Sequence, residues 1–204
     1  MIALTNEVSM NPITKKEIPR VIELLCGCFE QDPHTQWFIG NPTNPQTALR
    51  RRRALLRYVT VAAQSCQLAF LDADGQAAVL WQEWGNFPCG LAFIAANLNY
   101  LWHCGIAGTN RSLAMEKAAA QNLPKGPYLF LWLVGVAPQA RGQGRLRAII
   151  QTKLDAAKAA GQSVFLETTV PKNVEIYQHF GFQVIKRYSI ADSPEVIVMQ
   201  RRPD

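Results

Sequence analysis

The stretch Tyr128–Gly161, YLFLWLVGVAPQARGQGRLRAIIQTKLDAAKAAG, decides the fold. Tyr128 to Val136 is an almost unbroken apolar run, the pattern of a strand covered on both faces. Gly135 interrupts it, as glycine does at a bulge or a close backbone approach. Pro138 cannot donate to a ladder and ends the strand. After the turn Gln139–Gly144, residues Leu146, Ile149, Ile150, Leu154 and Ala157 recur at helical spacing, and Gly161 supplies the stop. A strand, a glycine turn and a helix N-terminus together make an anion cradle from backbone. The first helical N–H groups have no internal partner, and the dipole adds positive potential there. Arg141 and Arg145 add charge. The bland alternative is a plain strand-to-helix turn. Two sharper motifs are excluded: no Gly-Lys-Ser/Thr ending follows, and Arg147 stands where a dinucleotide fingerprint needs its third glycine.

Val136-Ala137-Pro138, Arg141-Gly142-Gln143-Gly144 and Ile149-Ile150 resemble motif A of the GNAT (GCN5-related) N-acetyltransferases. Downstream, Leu166-Glu167-Thr168, Asn173 and Tyr177-x-x-Phe180-Gly181-Phe182 resemble the family's motif B, in the same order and spacing. The resemblance covers about residues 127–202 and is faint before them. It implies an α/β fold with a central, mostly antiparallel mixed sheet and helices on both faces. It also implies acetyl-CoA as co-substrate, held where the fourth and fifth strands splay apart. Val134, Gly135 and Val136 would meet the pantetheine arm, and Arg141, Gly142, Gln143, Gly144, Arg145 and Leu146 the pyrophosphate. Asn173 would bind near the reactive end, and Tyr177 would touch the cofactor and act as the general acid. The base that takes the amine proton would be Glu167 or Glu83. The motif's last position, Gly or Ala in the family, is Leu146 here. That departure keeps open a second reading, a GNAT-like module that holds an acyl-CoA without transferring it.

The remaining chain is consistent with that frame. Its 204 residues, 49% hydrophobic and 18% charged, are expected to form one domain over 1–204. The net charge of +6 draws acidic small molecules such as CoA. Five scattered cysteines argue against a disulfide framework and for free thiols in a reducing cytoplasm, and no secretory signal is read at the N-terminus. No metal is expected, because the histidines lack ligand-spaced partners.

Along the chain, Ile13-Thr14 reads as a short edge strand and Thr14 with Glu17 as a capping box. Asp32 to Pro45 reads as a loop, with Trp37 and Phe38 in it as packing or as a lid. A helix is expected from Pro45 to Ser65. Its run Arg50–Arg53 spreads around the whole circumference, a solvated face rather than a nucleic-acid stripe. Gln67–Leu71 and Ala77–Glu83 form a hairpin about Asp72–Gly75. Cys89 to Gly108 is apolar, but Asn97, Asn99 and His103 interrupt it, so a buried helix lining the acceptor pocket is expected rather than a membrane span. Another helix follows from Asn110 to Gln121. The expected partner is a small-molecule or peptide amine, with neither nucleic acid nor membrane. Nothing in the pattern sets an oligomeric state.

Overall fold

The computed structural model describes residues 12–124 and 126–203. Six strands form one sheet in the order β1-β2-β3-β4-β6-β5. They are β1 (Ala69–Leu71), β2 (Ala77–Glu83), β3 (Leu129–Val136), β4 (Val164–Thr168), β5 (Gln183–Tyr188) and β6 (Val196–Arg201). Every neighbouring pair is antiparallel except β3 with β4. Helices cover both faces. On one lie α1 (Ile18–Cys28) and α3 (Pro45–Ser65), sealed to the sheet by Leu25, Leu56, Val59, Leu71 and Leu80. On the other lie α5 (Arg145–Ala159) and α6 (Pro171–Gln178), sealed by Ile149, Ile150, Leu154, Leu131 and Phe182. The mixed sheet with two covered faces is the expected architecture.

Four expectations change. The Ile13-Thr14 edge strand shrinks to one bridge, Pro12 with Phe70, beside an Ile13 N–H to Ala69 carbonyl bond of 2.9 Å. The capping box closes from one side only: the Glu17 carboxylate accepts from the Thr14 N–H at 2.7 Å, but the helix starts three residues later, with Pro19 in its first turn. The expected loop contains a helix, α2 (Pro33–Ile39). Asp32 caps it by accepting from the Thr35 N–H at 2.7 Å. The Asp-Pro pair is a helix start, Asn41-Pro42 marks the real loop, and Asn44-Pro45 starts α3. Trp37 is core, packed with Met115 and Val196, its indole donating to Asp192 at 3.1 Å.

The fourth change concerns Cys89 to Gly108. This stretch and the following one make a single helix, α4 (Leu91–Asn122), kinked at Gly105. Ala96, Tyr100 and Cys104 are buried, the last two packing with Ile39, Ala54 and Leu55 of α2 and α3. The opposite side is exposed, with Leu91 at 85% and Trp102 at 83%. The helix is apolar on both sides but covered on one, so it is not the buried helix expected from its composition.

The arginine run is bound within the protein. Arg52 is buried and pairs with Glu30 at 3.1 Å, Arg53 pairs with Glu23 at 2.8 Å, and Arg51 donates to the carbonyls of Ile39 and His103. These contacts staple α3 to α1, α2 and α4.

Candidate active site

A bulge in β3 opens the sheet. Leu80 faces Leu133 while Trp81 faces Leu131, so Trp132 is an extra residue on β3. Before the bulge, the Leu129 N–H donates toward β4, to the Ser163 carbonyl at 3.1 Å. After it, the Ala137 N–H donates toward β2, to the Gln76 carbonyl at 2.8 Å. Alternation then directs the backbone groups of Val134 and Val136 to the β4 side. The β3–β4 pairing ends at Leu131 with Leu166, so those groups open onto a gap. Gly135 directs its own groups to β2, opposite Ala78. A Cβ there would stand 2.9 Å from Leu25 Cδ2 and 3.0 Å from Cys28 Sγ, so the glycine lets α1 approach the strand.

Below the gap lies the turn Gln139–Gly144. Gly142 and Gly144 have φ of 76° and 74°, a conformation costly for other residues. The helical ladder begins with the Ala148 N–H to the Gly144 carbonyl at 3.0 Å, which leaves the N–H groups of Arg145, Leu146 and Arg147 without helical partners. The exposed backbone at Gln143 and Gly144 completes the turn. Leu146 packs its side chain against the core cluster under α5, which accounts for a large apolar residue at this motif position. Arg141 is exposed and donates from Nε to the Val136 carbonyl at 3.2 Å. Arg145 donates from Nε to Gln143 Oε1 of the turn at 3.4 Å. Its guanidinium binds Asp72 at 2.6 Å and Asp74 at 2.8 Å on the β1–β2 hairpin, so its charge is already paired.

Beyond the gap, α6 and α2 supply side chains. Tyr177 is half-buried, with its ring edge-on to Phe182 at 6.0 Å. Burial pushes its phenol up to about 12, and the nearby Asp32 carboxylate acts in the same direction. Asn173 donates to Thr168 Oγ1 at 3.4 Å, which orients it at the end of β4. Two buried polar atoms there have no partner among the described residues: Thr169 Oγ1 and His34 Nε2. His34 stacks on Phe38 at 4.6 Å, and burial lowers its pKa to about 4, with Asp32 opposing, so the ring is neutral.

Glu167 projects from β4 on the face opposite α5. Burial pushes its carboxyl up to about 7, partly offset by the Tyr188 hydroxyl, which donates to it at 2.9 Å. Glu83 is exposed at the end of β2. It lines a cavity of about 440 Å³, together with Trp84, Phe87, Tyr128 and Trp132 and, across from them, Ala62 and Ala63 of α3. Tyr128 joins it to Glu167: its ring meets Phe165 at 5.4 Å, and its phenol is pushed up by burial and by the Glu167 carboxylate. Among the described residues, no group of three or more His, Cys, Asp or Glu side chains is arranged to hold a metal, and no helix is long and apolar enough to cross a membrane.

Residues 84–182 match the Acetyltransferase (GNAT) family. The chain thus carries a GNAT acetyltransferase domain over those residues. It is therefore an acyltransferase, and GNAT enzymes use acetyl-CoA. Solved structures share the fold. A histone acetyltransferase HPA2-related protein of Corynebacterium glutamicum is 21% identical, with 96% of each chain covered and a TM-score of 0.65. Arylalkylamine N-acetyltransferase 2 of Aedes aegypti is 14% identical, over 98% of this chain and all of that one, with a TM-score of 0.59. The NatC complex, bound to Gag peptide and CoA, contains a chain 12% identical over 96% of this chain and 98% of its own, with a TM-score of 0.53.

The sequence reading of this GNAT site missed Asp32, His34, Thr169 and Tyr188. Asp32 had a signal, the Asp-Pro helix start. Tyr188 had none, because β6 lies between β4 and β5 and only the folded sheet brings its hydroxyl to Glu167.

Proposed function

We propose that this GNAT enzyme transfers acetyl from acetyl-CoA directly to a primary amine with an apolar, aromatic body. Acetyl-CoA supplies an activated acetyl thioester. The residues around the gap suit it: the free backbone groups of Val134 and Val136 offer an extended amide arm the pairing of an added strand. The turn Gly142–Leu146 offers its N–H groups to phosphate. Arg141 releases the Val136 carbonyl when that pairing forms, and its guanidinium turns to the phosphates. Asn173 and the unpartnered Thr169 hydroxyl hydrogen-bond near the thioester.

The observation that carries the reading is Glu167, a carboxyl with a pKa of about 7 whose charge reaches Tyr128, one wall of the aromatic cavity. Such a group takes a proton near neutrality, as a general base must. Glu167 accepts the amine proton as the nitrogen–carbon bond forms. Tyr177, protonated at neutral pH, donates a proton to the sulfur as the carbon–sulfur bond breaks. Glu83 is too exposed for the base role. The cavity holds the acceptor's body, with Trp84, Tyr128 and Trp132 as its aromatic walls. An arylalkylamine, the acceptor class in the mosquito protein's name, suits this arrangement. Five free cysteines, two of them buried, suit a cytoplasmic setting.

The test is thiol release with acetyl-CoA against a panel of amines from pH 5 to 9. The base works ionised, so wild-type kcat/KM rises as pH passes about 7. Glu167→Gln lowers it about 100-fold and removes that limb, and Glu83→Gln does neither. A limb that survives in Glu167→Gln excludes Glu167 as the base.

A further inference from the structure

The outer face of α4 carries more exposed apolar surface than a lone protein of this size keeps. Leu91, Ile94, Leu98, Trp102 and Ile106 are between 54% and 85% exposed, and Phe87, in the loop before the helix, is 80% exposed. Leu91, Ile94, Leu98 and Trp102 recur at steps of three or four, so they form one stripe about 16 Å long that ends before the Gly105 kink. With aromatic side chains presenting ~150–250 Å² each, the patch is on the order of 1,000 Å². The largest apolar patch on a typical monomer is about 300–600 Å². A stable dimer covers about 800 Å² on each partner.

We propose that a second copy of this chain docks on this stripe, α4 against α4 in antiparallel register about a two-fold axis at Leu98. Three observations select that occupant. The area matches what a dimer needs. The stripe is nearly symmetric about Leu98: Ile94 and Trp102 stand four residues to either side. Antiparallel pairing therefore sets Trp102 against Ile94 and Ala95 of the second copy, a large residue against smaller ones, and sets Leu98 against itself. Such a surface is self-complementary, as a two-fold interface requires. Charge is the third observation. Residues 84–110 contain no Asp, Glu, Lys or Arg, so two copies of a chain with net charge +6 meet here without like-charge repulsion. A membrane-surface helix instead carries Lys and Arg along its polar face. The dimer also explains the composition of α4: a helix apolar on both sides needs a cover on both.

Sedimentation velocity of the full chain at micromolar concentration tests this. The expected species is twice the 22.8 kDa chain. Leu98→Glu sediments as a monomer, as does Leu98→Lys, and mixing the two restores the dimer because each charge meets its opposite at the axis. Leu98 is exposed, so both variants keep the wild-type circular dichroism and lose only the concentration-dependent part of the melting temperature that the dimer supplies. A wild-type chain that stays at 22.8 kDa overturns the proposal, and so does a dimer that survives Leu98→Glu. Monomeric wild type that co-sediments with anionic phospholipid vesicles also overturns it, and assigns the stripe to a lipid surface.

Discussion

The two sides of the cleft are made in different ways. The cofactor side, from β3 through the turn to α5, is one continuous stretch, and its chemistry is backbone: a bulge at Trp132, two positive-φ glycines and the open end of a helix. The proposed acceptor side is assembled from α2, α3, the loop after β2, the start of β3, β4 and β5, and its chemistry is side chains: Glu167, Tyr188, Tyr128, Trp132 and His34. A backbone site tolerates exchange of most side chains around it and fails when φ or register changes. A side-chain site behaves the opposite way.

The largest effect is expected on the cofactor side. Gly144→Glu forces a side chain into φ 74° and sets a carboxylate in the turn. Affinity for CoA should fall at least ~100-fold, or ~2.7 kcal/mol, with the CoA-induced rise in melting temperature lost. Retained CoA binding would show that the turn is structural only. Next comes Tyr177→Phe. A phenol that acts only as sulfur is expelled leaves acetyl-CoA affinity unchanged and lowers kcat, by about 100-fold on the usual scale of a positioned acid. Steady-state rates read beside a CoA titration separate the two, and an unchanged kcat removes Tyr177 from the chemistry. The smallest effect is at Asp32, which caps α2 beside the acceptor side. Asp32→Ala should cost about 1 kcal/mol in urea unfolding, and Asp32→Asn, which keeps the cap, much less. Equal losses in the two would tie Asp32 to the fold through its charge instead.

The same contrast explains what the sequence could say. The strand ending at Pro138, the glycine turn and the helix to Gly161 are local patterns, and the structure has them within a residue or two. The helix Pro45–Ser65 was legible for the same reason, since Asn44-Pro45 is a cap followed by a first-turn proline. Spacing placed Arg145 at the turn, but its partners Asp72 and Asp74 lie on another hairpin, and no local pattern announces them. The exposure of α4 was misread because composition cannot say which of two apolar sides has a neighbour. The Glu167–Tyr188 bond joins residues 21 positions apart across a strand that comes later in the chain, and no local pattern announces it.

We propose that the gap beside Val134 and Val136, with the glycine turn below it, is an acetyl-CoA site. Isothermal titration of acetyl-CoA into the wild-type chain should then show one molecule bound per chain with micromolar affinity. Absence of binding at millimolar acetyl-CoA would contradict it, and would leave the open edge of β3 as a feature of the fold alone.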